Sequence, residues 1–225
     1  MSNMYYVAPE QVMKDKAEFA QKGIARGRSI IGAIYETGVV MVAENPSASL
    51  YKVSEVYDRL AFAGVGKYNE FDRLREAGIR WADGTGFTYS REDVDARALA
   101  NYYAQYIGDV FTEGQKPLEI EILVAQLGNK LRPTKLYRIQ YEGTIIDEAA
   151  FAVLGGDAES IKARFTQLAT EPAGLAATLR SAVDALSGPD RSILTADLEV
   201  GILEDRGHRR TFKRLSDEEV NALRG

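Results

Sequence analysis

Three stretches of the chain carry residue types at spacings that could do chemistry. Gly64-Val65-Gly66-Lys67 has the glycines and lysine of a phosphate-cradling loop. Such a loop needs glycines at fixed offsets, a lysine on the outer phosphates and a hydroxyl for the metal ion. Ala61 occupies the first glycine position and Tyr68 stands where Ser or Thr is required, so that reading is rejected. Arg206, His208, Arg209, Arg210, Lys213 and Arg214 form a basic cluster that could touch nucleic-acid phosphates, although a solvated hairpin explains it more simply. Tyr102, Tyr103 and Tyr106 could stack on bases, but their helical spacing suits packing or a subunit contact better.

Composition excludes more. The 225 residues include no cysteine, which removes disulfides, thiolate metal sites and a cysteine nucleophile. The single histidine, His208, argues against a histidine-rich zinc site, and no cofactor is expected. Hydrophobic residues make up 45% and charged ones 27%, an ordinary globular balance at a length that buries a sizeable core. The net charge of −5 argues against a whole-surface attraction to nucleic acid. The first eight residues lack the basic start of a secretory signal, and no apolar run approaches bilayer length, so no membrane association and a cytoplasmic location are expected.

The elements that must position any site follow from periodicity. Pro9-Glu10-Gln11 reads as a helix first turn, and Met13, Ala17, Ala20 and Ile24 recur at helical spacing until the chain reaches Gly23 to Gly27. Strands are expected at 29–35 and 39–44, joined through Glu36-Thr37-Gly38 and broken by Asn45-Pro46-Ser47. Two more are expected at 50–53 and 59–65, with a turn at 55–58. A helix follows over 67–81, and a longer one over 91–111 capped by Ser90. Strands are then expected at 119–127, 136–141 and 151–154, helices at 158–168 and 173–186, a hairpin of 198–203 with 210–215, and a closing helix at 217–224 capped by Ser216. Two sheets, each with a helix pair to cover it, predict an α/β fold, a four-layer αββα sandwich in one domain. Lys52 by itself reads as a solvated lysine at a strand edge.

The run from Pro9 through Gly66, "PEQVMKDKAEFAQKGIARGRSIIGAIYETGVVMVAENPSASLYKVSEVYDRLAFAGVG", resembles the α subunits of actinobacterial proteasomes. So do "KYNEFDRLREAGIRWAD", "LANYYAQYIGDVFTE" and "KPLEIEILVAQLG", and more loosely the last hairpin and helix, so that nearly the whole chain is covered. The resemblance implies the N-terminal-nucleophile hydrolase sandwich with an additional N-terminal helix. It implies residues 1–8 as a gate segment and 9–225 as a single α-type domain. The partners it implies are other α subunits in a seven-membered ring, catalytic β subunits, unfolded protein substrates in transit, and the C-terminal tails of a hexameric ATPase that delivers proteins tagged with a small ubiquitin-like modifier.

The catalytic relatives expose a threonine at the start of the first strand, with its free amine as local base. The matching position here resembles Arg28, which cannot be a nucleophile, and a non-catalytic subunit is expected. An autonomous amidase or peptidase is the alternative. It would require cutting before Ser29, which would delete the helix ahead of it. By resemblance, Lys52 faces a pocket between neighbouring subunits where its ammonium pairs with the terminal carboxylate of a docked activator, and Gly66 and Gly27 let that tail approach. Ser2, Asn3, Met4, Tyr5, Tyr6, Val7 and Ala8, uncharged but for the terminus, are expected to converge on the pore as a gate.

Overall fold

A computed structural model describes residues 8–169 and 173–225. The gate residues Ser2, Asn3, Met4, Tyr5, Tyr6 and Val7 therefore lie outside the described residues. Two five-stranded antiparallel sheets form the centre. The first contains β1 (Ile30–Tyr35), β2 (Gly38–Glu44), β8 (Phe151–Leu154), β9 (Leu198–Glu204) and β10 (Phe212–Arg214) in the order β10-β9-β2-β1-β8. The second contains β3 (Val53–Tyr57), β4 (Leu60–Gly66), β5 (Ile120–Gln126), β6 (Lys135–Ile139) and β7 (Ile145–Glu148) in chain order.

Alternation along the strands divides the core into three slabs, as the side-chain period of two requires. Ile31, Ala33, Val40 and Val42 face α4 (Ala158–Leu168), α5 (Leu175–Ser187) and α6 (Asp217–Arg224). Leu60, Phe62, Ile120, Ile122 and Val124 face α2 (Tyr68–Thr88) and α3 (Ala96–Glu113). Between the sheets lie Ile30, Val39, Met41, Ala61, Ala63, Leu123 and Ala125. Both faces of the central strands are buried, which is why β2 and β5 read as nearly unbroken apolar runs. The predicted four-layer αββα sandwich is the observed one. Among the described residues no helix is long and apolar enough to cross a membrane.

The additional helix α1 (Pro9–Ala25) starts on proline, with Glu10 at its positive end. Its thin apolar stripe is real but short: Ala20 and Ile24 are buried, whereas Met13 stays exposed. Close approach makes up the difference. A Cβ on Gly23 would lie 2.6 Å from the Glu119 side-chain carbons, and Lys16 Nζ donates to Phe111 O (2.9 Å) and Thr112 O (3.2 Å) at the end of α3.

Several boundaries differ from the sequence reading. The turn joining β3 to β4 is Asp58-Arg59, later than the expected 55–58, and β3 is Val53–Tyr57 instead of 50–53. A bulge between Glu55 and Tyr57 buries both Val56 and Tyr57 in the same slab, which hides the strand from an alternation test. Ser90 caps only a short 3-10 turn, and α3 starts at Ala96 because the Asp95 side chain accepts from Ala98 N at 2.8 Å. α2 continues to Thr88, past the expected 81. The edge strand β7 had no expected counterpart, being short and only partly buried. Ser216 does cap α6, in a capping box with Glu219.

Candidate functional site

One end of the sandwich gathers the start of β1, the end of β2, the start of β3 and the end of β4. Asn45 ends β2 by folding the chain back on itself: its side chain donates to Leu50 O (2.7 Å) and accepts from Ser47 N (3.2 Å). That turn delivers Lys52 to the mouth between the sheets. Lys52 Nζ donates to Arg28 O (2.8 Å) and Glu44 O (3.1 Å), while Lys52 O accepts from Gly64 N (3.1 Å). An ammonium has three donors, so one remains for a ligand. Burial pushes the amine down to about 8, with Glu199 and Glu44 pulling it up and Arg28 pushing it further down.

Gly66 and Gly27 lie at the same mouth. Gly66 has φ +107°, and a Cβ there would sit 1.9 Å from Glu119 O. A Cβ on Gly27 would meet Gly66 N at 2.9 Å. The two glycines thus lie backbone to backbone, and the carbonyl of the next residue, Arg28, takes the Lys52 ammonium. The three expected docking residues are brought together, although 14 residues separate Lys52 from Gly66 in the chain.

Glu44 walls this site and is 5% exposed. Arg191 grips it with two parallel bonds of 2.8 Å, and Arg28 adds a further contact. The Arg191 hydrogen bond, more than the Arg28 charge, holds the carboxyl below its usual range despite burial. Beside it opens a cavity of about 560 Å³, bounded by Gly27, Arg28, the start of α4 at Asp157 and the chain after α5 at Gly188 and Arg191. Lys52 is not part of that cavity.

Sequence reasoning missed Glu44, Arg191 and above all Glu199. A glutamate set between Leu198 and Val200, inside a strand that is otherwise apolar up to Glu204 at its end, is the signal that could have found the last. Ala8, the one gate residue within the described part, is exposed and caps α1 through its carbonyl, accepting from Gln11 N (2.9 Å) and Val12 N (3.2 Å).

The competing chemistries find little support. Ser29 is 8% exposed, its amide is bonded to Arg28, and among the described residues no base reaches its hydroxyl. Lys67 stands at the N-cap of α2 beside Glu70 and Glu119, each 3.9 Å away. In the basic hairpin, Arg209, Arg210, Lys213 and Arg214 pair with Asp58, Glu55, Glu219 and Glu199. Tyr103 is buried in the core and Tyr102 stacks on Trp81 at 5.9 Å, so neither offers a base platform.

Residues 24–192 match the family described as Proteasome subunit. A protein of Acidimicrobium ferrooxidans named Proteasome subunit alpha is 60% identical over 225 residues, covering 100% of this chain and 97% of its own length. Proteins of the same name from Sanguibacter keddieii (49% identical; 99% and 89% covered) and Frankia casuarinae (48% identical; 97% and 95% covered) are similar over nearly the full length.

Proposed function

The chain belongs to the proteasome subunit family as a non-catalytic α-type member, and from that premise we propose that it forms the outer ring of a proteasome core, gates substrate entry with residues 1–8 and docks a hexameric ATPase through Lys52. Residues 9–225 act as one ring-forming domain. Proteolysis takes place in partner β subunits, on unfolded, tagged proteins that the ATPase delivers in the cytoplasm.

The observation that carries the docking reading is the Lys52 ammonium, half-buried between two main-chain carbonyls with a donor to spare. A terminal carboxylate is the complementary group, since charge-assisted hydrogen bonds in a partly desolvated site are the strong ones. Ring assembly draws support from exposed apolar side chains at three places: Val12, Met13 and Phe19 on α1, Phe87 and Tyr89 at the end of α2, and Leu131 after β5. Apolar surface of this kind, where it is contiguous, marks contact with other chains.

The test is reconstitution with the β-type partner. Electron microscopy should show seven-membered α rings capping β rings. Removing residues 2–8 should raise short-peptide hydrolysis several-fold, and unchanged hydrolysis would remove the gate from the proposal. Lys52→Ala should weaken ATPase-tail binding by about tenfold or more, as loss of a charge-assisted contact costs, and undiminished binding would remove Lys52.

A further inference from the structure

We propose that Glu199, braced by Arg214, is the positioning residue of the docking site, fixing the main chain from which Lys52 reaches its carbonyl partners. The inference rests on the docking reading above and adds residues from the opposite sheet to it.

Glu199 lies on β9, in the first sheet, whereas Lys52 leads into β3 of the second. At 6% exposure an isolated carboxylate would be costly, yet this one is surrounded by donors. Its Oε2 accepts from Asn45 Nδ2 (2.7 Å) and Lys52 N (2.8 Å), its Oε1 from Val53 N (3.1 Å), and the Arg214 guanidinium completes the set. Two consecutive main-chain amides, at the lysine and the residue after it, are therefore held by one side chain across the gap between the sheets. Arg214 grips the same segment from β10: its Nη2 donates to Val53 O (2.8 Å), and its guanidinium lies 4.0 Å from the Tyr51 ring centroid. With residues 51–53 clamped in this way, the Lys52 side chain has a fixed origin. Preorganisation of that kind lowers the ordering cost of binding a tail.

The carboxylate also acts through its charge. The charged groups facing the ammonium are Glu199 from β9, Glu44 from β2 and Arg28 ahead of β1; Arg214 and Arg191 lie behind the two carboxylates. The group that loses its charge in the window of interest is the lysine, at about 8. Glu199 favours its protonated form, so removing that charge must move the loss of the ammonium to lower pH.

The experiment measures binding of a fluorescent peptide, the C-terminal decapeptide of the cognate ATPase with a free carboxylate, to the assembled particle between pH 6 and pH 9. Wild-type affinity should fall as pH rises through about 8. Glu199→Gln should weaken binding about tenfold at neutral pH and shift the midpoint down by about one unit, which loss of packing alone would not do. Arg214→Gln should weaken binding without lowering the midpoint, and it supplies a second readout should Glu199→Gln fail to assemble. Loss of affinity in Lys52→Ala alongside wild-type affinity and midpoint in Glu199→Gln, or wild-type affinity in Arg214→Gln, would overturn the inference alone. Wild-type binding by Lys52→Ala would instead overturn the docking reading and this inference with it.

Discussion

The two ends of the sandwich are both rich in charge and treat it in opposite ways. At the Lys52 end, Glu44, Glu121 and Glu199 are 5–6% exposed, and each accepts from donors far away in the chain. At the other end, around the Asp58-Arg59 turn, Asp58 pairs with Arg91 and Arg209, Glu55 with Arg210, and Asp205 with Arg59, and every pair has at least one partner 46% or more exposed. A buried carboxylate organises several segments because any donor it lost would stay unpaired. An exposed pair organises little, since water and salt replace either partner. The difference separates a buried network from a solvated rim.

Glycine substitutions sharpen the contrast most. Gly66→Ala should cost about 3 kcal/mol or more and prevent assembly, because it combines a positive φ with a Cβ driven onto Glu119 O. Gly207→Ala in the opposite hairpin has φ +74° but open space around it, and should cost only about 1 kcal/mol in denaturant melts. Equal costs would break the comparison.

Next comes Glu44→Ala, expected to lower stability by about 2–3 kcal/mol by leaving Arg28 without its carboxylate and Arg191 with only Leu186 O. Its folded carboxyl is held below the unfolded value of 4.5. The stability it contributes is therefore fully present above that pH and is lost as pH falls through the folded value, so mutant and wild type should converge in acid.

Lys52 carries a charge that burial disfavours, and its window lies at higher pH. Its amine lies at about 8 when folded and 10.5 when unfolded, so the unfolded chain binds more protons between those values and stability rises with pH across that window. Lys52→Met should abolish that rise in melts taken from pH 7 to pH 10.5 while destroying tail binding. Smallest of all, Arg210→Ala at the exposed end should leave the melting temperature within measurement error, although it removes a bidentate contact to Glu55.

Much of the fold was legible locally. Pro9 and Glu10 marked the start of α1, Ser216 and Glu219 the start of α6, and the apolar runs at β2 and β5 announced strands buried on both faces. Failures came where tertiary packing changed a local rule. The bulge in β3 placed Val56 and Tyr57 on one face, and Asp95 outcompeted Ser90 as the cap of α3. For the site, Lys52, Gly27 and Gly66 followed from resemblance, whereas Glu44 and Glu199 carried no local signal beyond being charged among apolar neighbours.

From the residues alone came the αββα layering and the exclusion of thiol chemistry, because side-chain period and composition are properties of the chain itself. Only the tertiary structure set Glu199 of the first sheet against the amides of Lys52 and Val53 at the edge of the second. Hydrogen bonds across a gap between sheets join positions 146 and 147 residues apart, and no local pattern records which distant partner a buried carboxylate will meet.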